Sequence, residues 1–487
     1  MKKFNVKKMC FVVSFTSIAV IMVACQKKEL INEKLKLNGQ FANVQTGSFT
    51  KNLLFDENGF SQWQTDLDDP AVSTTVSNFF EPKAEAALSY KAVGYASVYN
   101  NATASASAGV SAENVKVLAL KVMLTTDSIT RQPYINKAAE ILKSWAKVNV
   151  QSWHRPAETV FLPMYEGYSL LRSSLTSADR DTVDGWVRRR ATVGAYNFMR
   201  QDGNGVNKIN NWEAQRLCFL FYSAYILNDN SLLENAKSSY NTFLDNYLLE
   251  GGKTTDYQDR DAFVYQAYGL LYVGNIFRAV QAMEGSIAGD NFKNKTNKIG
   301  LKVEDAVRFW EPYLCGLYHD EFKNSIFSNE RTGARRGPYN PKGDLYVLDM
   351  LVQHYLYRIY PYFKTLQSPS ADRFHNLTRY IALLAAPHID YSTSMPIGQF
   401  FSNCNNGGAS ALLRIGGYTA SQLQQAGLSD NALSSFKIPA GVRIILFDGD
   451  FSDATTVGGE RMEFTASNDC LVNTFNDKTS SIIVVGQ

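Results

Sequence analysis

Residues 209–272 gather the side chains best suited to chemistry. Asn210-Asn211-Trp212-Glu213 opens a long apolar run, Asp259-Arg260-Asp261 precedes the next, and Tyr265, Tyr268 and Tyr272 follow at spacings of three and four. That spacing puts the three phenols on one face of a helix. An Asn amide and an Arg guanidinium can neutralise an anion, and a phenol beside a cation can give or take a proton. Ordinary roles compete with this one. Asn211 can cap the helix that follows, Arg260 can form a solvated ion pair, and a tyrosine stripe can be core.

The elements that must position these groups are helical. Apolar residues recur at helical spacing in 82–99, 112–125, 133–148, 160–174, 178–200, 212–228, 231–248, 260–283, 302–316, 345–364 and 371–386. Short connections make neighbours antiparallel. The spacing predicts consecutive helical hairpins over 76–395, closing as an incomplete (α/α) toroid with a cleft at one end. Arg188-Arg189-Arg190 reads as a solvated helix face.

The chain is 487 residues long, 45% apolar and 13% aromatic, enough for more than one core. Its formal charge of +3 comes from the first 24 residues, which hold Lys2, Lys3, Lys7 and Lys8 and no acid; without them 45 basic groups face 46 acidic ones. That balance argues against a nucleic-acid partner. The lysines, the short apolar run from Phe11 to Val23, and Met22-Val23-Ala24-Cys25 resemble a lipoprotein signal. The resemblance implies a signal peptide over 1–24, a lipidated Cys25 anchoring the protein in a bacterial cell envelope, and a tether over 25–75. Cys218 and Cys315 lie in apolar helical runs and read as buried. An exported chain permits a bridge between Cys404 and Cys470. No zinc-type spacing of Cys or His is present.

Near residue 395 the sequence turns Gly-, Ser- and Val-rich, with alternating segments at 411–415, 442–447 and 480–485. Asp430-Asn431-Ala432-Leu433-Ser434-Ser435 and Asn476-Asp477-Lys478-Thr479-Ser480-Ser481 both fit Asx-Asx-x-x-Ser-Ser. Asx and Ser oxygens with a free carbonyl suit Ca²⁺; a pair of Asx-turns without metal is the plainer reading. Residues 403–487 resemble microbial βγ-crystallin domains, which implies a small all-β Greek-key sandwich. By that resemblance Asn431, Ala432 and Ser434, with Asp477, Lys478 and Ser480, are the Ca²⁺ ligands, each fifth-position Ser serving the partner motif's site.

The helical region resembles the alginate lyase superfamily of polysaccharide lyases. The likeness rests on the segment Ala138 to Trp145, on Leu162 to Leu171 with Asp184-Gly185-Trp186, on Asn210-Asn211-Trp212, and on Arg260 through Tyr268. It implies β-elimination in a uronate-containing acidic polysaccharide, with no cofactor for catalysis. Asn211 and Arg260 neutralise the carboxylate, and Tyr268 is base or acid. The family's His after the Asn is Trp212 here, and its Arg position falls on Asp261, one place from Arg260. His154 and His319, both at helix ends, are the candidates to replace the imidazole. Trp212, Tyr265, Arg155, Arg335, Arg336 and Tyr339 are candidates to grip the polymer. A non-catalytic glycan-binding lipoprotein and a toroid glycoside hydrolase remain alternatives; the latter requires opposed carboxylates such as Glu158 or Glu166 with Asp256 or Asp261.

Overall fold

The computed structural model describes residues 50–66, 76–152, 154–193, 208–351, 353–355, 358, 397–472 and 475–486. The signal, Cys25, most of the tether and the helix expected over 371–386 lie outside the described residues.

The helical region contains α1 (Glu57–Asp66), α2 (Glu81–Leu88), α3 (Ala102–Leu124), α4 (Ser128–Ala146), α5 (Leu162–Leu171), α6 (Ser177–Thr192) and α7 (Asn211–Leu227). It continues with α8 (Asn230–Tyr247), α9 (Thr255–Arg260), α10 (Phe263–Glu284), α11 (Ser286–Lys293), α12 (Val303–Leu314) and α13 (Leu345–Leu351). Side-chain oxygens start several of them: Asn101 accepts from Ala104 N–H, Asp127 from Thr130 N–H and Asp229 from Leu232 N–H. Helix α3 begins ten residues before the spacing predicts, because Ala102–Ala108 carries no large apolar residue to mark a period. Its path is set by tight packing instead. A Cβ on Gly167 of α5 would lie 2.8 Å from the backbone of Val115 and Lys116 in α3.

Helices α3, α5, α7, α10 and α13 pack on one another in that order, while α4, α6, α8 and α11 flank them. Nearly every residue of α7 is buried, as befits a helix surrounded by others. Four of these helices meet in one buried polar cluster. Glu166 of α5 takes Lys116 of α3 at 2.6 Å and Tyr222 of α7 at 3.2 Å, and pairs with Arg278 of α10.

Two short strands, β1 (Asp320–Glu321) and β2 (Gly337–Pro338), pair within the helical region, and the all-β region begins earlier than the motif boundary at 403, with β3 (Ile397–Asn403). A three-stranded antiparallel sheet has the order β4 (Gly407–Arg414), β3, β6 (Ser435–Lys437). A four-stranded one runs β5 (Gly416–Tyr418), β9 (Ser481–Gly486), β7 (Val442–Phe447), β8 (Arg461–Phe464). The sequence order therefore crosses between sheets: β5 joins β9 of the second half, and Asn468 bridges back to Phe436 of the first. Alternate residues of β7 and β9 (Ile444, Leu446, Ile482, Val484) fill the sandwich. Their neighbours Ile445, Phe447, Ile483 and Val485 pack with Leu317 and Phe451 against the end of α12. This sheet is covered on both faces, which explains its unbroken apolar strands. Cys404 and Cys470 are bonded, tying the β3–β4 hairpin to the segment before the second hexamer. Cys218 is buried as expected, whereas Cys315 is only half-buried.

Candidate functional site

The N-terminal ends of five helices lie side by side. Tyr99, just ahead of α3, stacks on His154 at 4.5 Å, and His154 meets Trp212 of α7 edge-on at 5.0 Å. Thr255 of α9 donates to the Ile209 carbonyl just before α7, at 2.7 Å. Tyr268 of α10 lies 6.0 Å from Tyr346 at the start of α13. Unpaired backbone N–H groups and aligned peptide dipoles make such an end attractive to an anion.

His154 sits on a single helical turn, Arg155–Glu158, that two buried ion pairs hold. Arg155 pairs with Glu213 of α7 at 3.1 Å, and Glu158 with Arg190 of α6 at 2.6 Å. Two expectations are corrected here. Arg155 cannot grip a polymer because its guanidinium is buried on Glu213, and Arg190 is buried core rather than solvated face. Both instead fix the position of His154. The His154 Nδ1 accepts from the Ala157 N–H at 3.2 Å. A neutral imidazole so held carries its proton on Nε2 and can donate it to an anion.

Asn211 does not cap α7, since Asn210 does so by accepting from the Trp212 N–H at 3.1 Å. The Asn211 side chain is left for other work. It is 4% exposed, and its Oδ1 is buried with no hydrogen-bond partner among the described residues. Beside its backbone N–H lies the fully buried Asp256. Burial pushes the Asp256 carboxyl up to about 7, against the pull of Arg260, the Asn211 N–H and the Tyr247 hydroxyl. A Cβ on Gly269 would strike that hydroxyl at 1.8 Å, so only glycine fits there.

Arg260 is not the solvated ion pair that its flanking acids suggest. Its side chain is 16% exposed, 3.7 Å from Asp256 and 3.4 Å from Glu330. The guanidinium lies over the rings of Tyr265, at 4.2 Å, and Phe327, at 4.7 Å. The chain from Asp256 through Arg260 and Tyr265 ends at Tyr268, 6.4 Å from Tyr265 and 38% exposed. Arg335 completes this edge by donating to the Tyr265 hydroxyl at 3.3 Å. Tyr272 is buried core.

The remaining candidates lie elsewhere. The His319 ring is packed among Tyr257, Phe263 and Tyr313, and its Nε2 is 3.3 Å from the Asp261 carboxylate. It braces the loop over the α9–α10 junction, as does Phe322, whose N–H donates to the Asp261 carbonyl at 2.8 Å. Tyr339 is half-buried, and its ring is fixed by a hydroxyl that accepts from Trp310 at 2.8 Å and donates to Asp344 at 2.9 Å. Arg336 is drawn to Asp320 at 3.3 Å. Glu158 and Glu166 are buried in ion pairs, which removes them as hydrolytic carboxylates.

The two hexamers meet as a pseudo-symmetric pair. Asn431 and Asp477, equivalent positions, both take the left-handed conformation, with φ of 54° and 53°. The Asn431 N–H donates to the Thr479 carbonyl and the Asp477 N–H to the Leu433 carbonyl, both at 3.1 Å. The Ser480 hydroxyl is 3.2 Å from Asn431 Oδ1, and the Ser434 hydroxyl is 3.2 Å from Asp477 Oδ1. Oxygens about 2.4 Å from one Ca²⁺ and at roughly right angles stand ~3.2–3.4 Å apart, so the spacing fits shared ligation. Ser402, whose carbonyl accepts from Ser434 at 2.9 Å, is a further oxygen beside Ser434 and Asp477 that the motif does not reveal. No group of three His, Cys, Asp or Glu side chains suited to a metal occurs among the described residues. A cation here would rely on Ser, Asn and backbone oxygens, with Asp477 the one formal charge among those side chains.

No family model matches the chain, and no curated protein does. Solved structures do. A βγ-crystallin domain from Flavobacterium johnsoniae is 33% identical over 18% of this chain and 94% of that one, with a TM-score of 0.17. The N-terminal domain of protein S is 32% identical over 18% of this chain and 96% of its own, TM-score 0.17. A double mutant of a βγ-crystallin domain from Clostridium beijerinckii is 31% identical over the same shares, 18% and 96%, TM-score 0.17. The likeness concerns a small part of the chain and leaves the helical region undescribed.

Proposed function

We propose that this chain, part of which is similar to βγ-crystallin domains, is a lipid-anchored polysaccharide lyase. It cleaves a uronate-containing acidic glycan by β-elimination at the N-terminal ends of its inner helices. The packing order α3, α5, α7, α10, α13 supports an incomplete (α/α) toroid, with those ends as the cleft. One observation carries the reading: the Asn211 side-chain amide, not used in capping its own helix, and the half-exposed Tyr268 phenol belong to the same helix ends, linked by Asp256, Arg260 and Tyr265.

In the reaction, the Asn211 Nδ2–H and the His154 Nε2–H neutralise the sugar carboxylate, which acidifies the adjacent C5–H. Tyr268 takes that proton. The C4–O bond breaks, a C4=C5 double bond forms, and Tyr268 gives its hydroxyl proton to the departing oxygen as it takes the one from C5, so the phenol ends unchanged. Trp212, Tyr265 and Arg335 line the approach. The β-sandwich holds two Ca²⁺ ions through Asn431, Ala432 and Ser480 at one site and Asp477, Lys478 and Ser434 at the other. Cys25 carries the acyl anchor that keeps the protein in the bacterial envelope. Incubation with a panel of uronate polymers tests the proposal: growth of absorbance from an unsaturated uronate supports it, and saturated products indicate a hydrolase.

A second reading, a glycan-binding protein without turnover, draws on the burial of Asn211, which leaves little surface for a substrate carboxylate. It predicts retention of the polymer with no new product over long incubation.

A further inference from the structure

We propose that the seam between the helical region and the β-sandwich is a second binding site for an anionic oligosaccharide. This rests on the acidic-glycan reading above only for its choice of ligand. The seam holds a groove of about 360 Å³, one wall from α12 and residues 251–252, the other from β7 and β8. That volume suits one or two sugar residues.

The groove has the chemistry of a sugar-acid site. Phe309 and Tyr313 present rings along its α12 wall, and sugar faces stack on such surfaces. Three guanidinium groups, Arg308, Arg443 and Arg461, face it against two carboxylates, Asp305 and Glu463. Arg443 is taken up by Glu463 at 2.9 Å. Arg308 is held only loosely, at 3.4 Å from Asp305. Arg461 is exposed at the rim. Its charge reaches the Tyr313 phenol, lowering a pKa that burial raises. A planar guanidinium at a rim beside aromatic rings matches a carboxylate bidentately.

Neither region alone makes the groove. The α12 wall supplies the rings and Arg308; the sheet supplies Arg443 and Arg461. The outer face of the β5–β9–β7–β8 sheet is packed on the helical region through Leu317, Ile445, Phe447 and Phe451, which fixes the two walls relative to each other.

Calorimetric titration of the full-length, Ca²⁺-loaded protein with an unsaturated alginate trisaccharide, a product-like probe, tests the inference. Wild type is expected to bind two equivalents, and the double variant Arg308→Ala/Arg461→Ala one, with its melting curve unchanged and affinity at the seam lowered at least tenfold. Maltotriose, a neutral trisaccharide, is expected not to occupy the seam. One equivalent for wild type and none for the double variant would uphold the seam while removing the helical cleft. Equal stoichiometry in wild type and the double variant, equal binding of maltotriose, or no binding by wild type would overturn the inference.

Discussion

The Ser434 hydroxyl of the first hexamer stands 3.2 Å from the Asp477 carboxylate of the second. With Ser480 and Asn431 in the mirrored arrangement, each proposed cation site takes side chains from both halves of the sandwich. Ca²⁺ bound at the proposed sites would bridge the halves, and it should raise the unfolding temperature of the β-region relative to EDTA. The site with Asp477 has the formal charge and should fill first. Asp477→Asn should weaken that site on the order of tenfold, and Asn431→Ala should affect only the other, both read by calcium titration.

The bond between Cys404 and Cys470 closes a loop with a sequence separation of 66. Loop-closure entropy for that length is worth about 4 kcal/mol. Cys404→Ser should lower the stability of the β-region by an amount of this order in denaturant titration without Ca²⁺. The helical transition should stay in place.

Asp256 should leave a mark on the pH dependence of stability. Its carboxyl titrates at about 7 when folded, and ordinarily at 3.8, because burial disfavours the anion. The folded state holds the extra proton between those values, so this group's contribution is full below about pH 4 and declines as pH rises to about 7. Asp256→Asn, which mimics the protonated form, should match wild type near pH 4 and exceed its stability above pH 7 by on the order of a few kcal/mol. A stability difference that does not vary with pH would show that Asp256 is not the buried acid described.

Much of this arrangement was legible in the sequence, for identifiable reasons. The hexamers are legible because Asx and Ser at fixed offsets encode the turn and the oxygens together. The inner helices α7 and α10 announce themselves through their apolar length. Arg155 and Arg190 are illegible because their partners, Glu213 and Glu158, lie 58 and 32 residues away in sequence. A charged side chain carries no local sign that it will be buried. Asp256 hides for the same reason, since Tyr247 and Gly269, which seal it, belong to two other helices. Arg260 reads from its sequence neighbours as open to a substrate carboxylate, whereas Glu330 and Phe327, about 70 residues on, enclose it.

The two histidines should separate by assay. His154 lies at the helix ends with Trp212 and Tyr99, so His154→Ala should reduce turnover by about a hundredfold or more with little change in melting. His319 is packed among Tyr257, Phe263 and Tyr313. His319→Ala should cost about 3 kcal/mol of stability and leave turnover per folded molecule near wild type.

The most direct test of the central claim is the rate of unsaturated-product formation by Tyr268→Phe, measured on the uronate polymer that wild type cleaves. Tyr268 is 38% exposed, so loss of its hydroxyl should leave folding and polymer binding intact. The account predicts product formation reduced to background with affinity unchanged. A variant that still cleaves at the wild-type rate would contradict it.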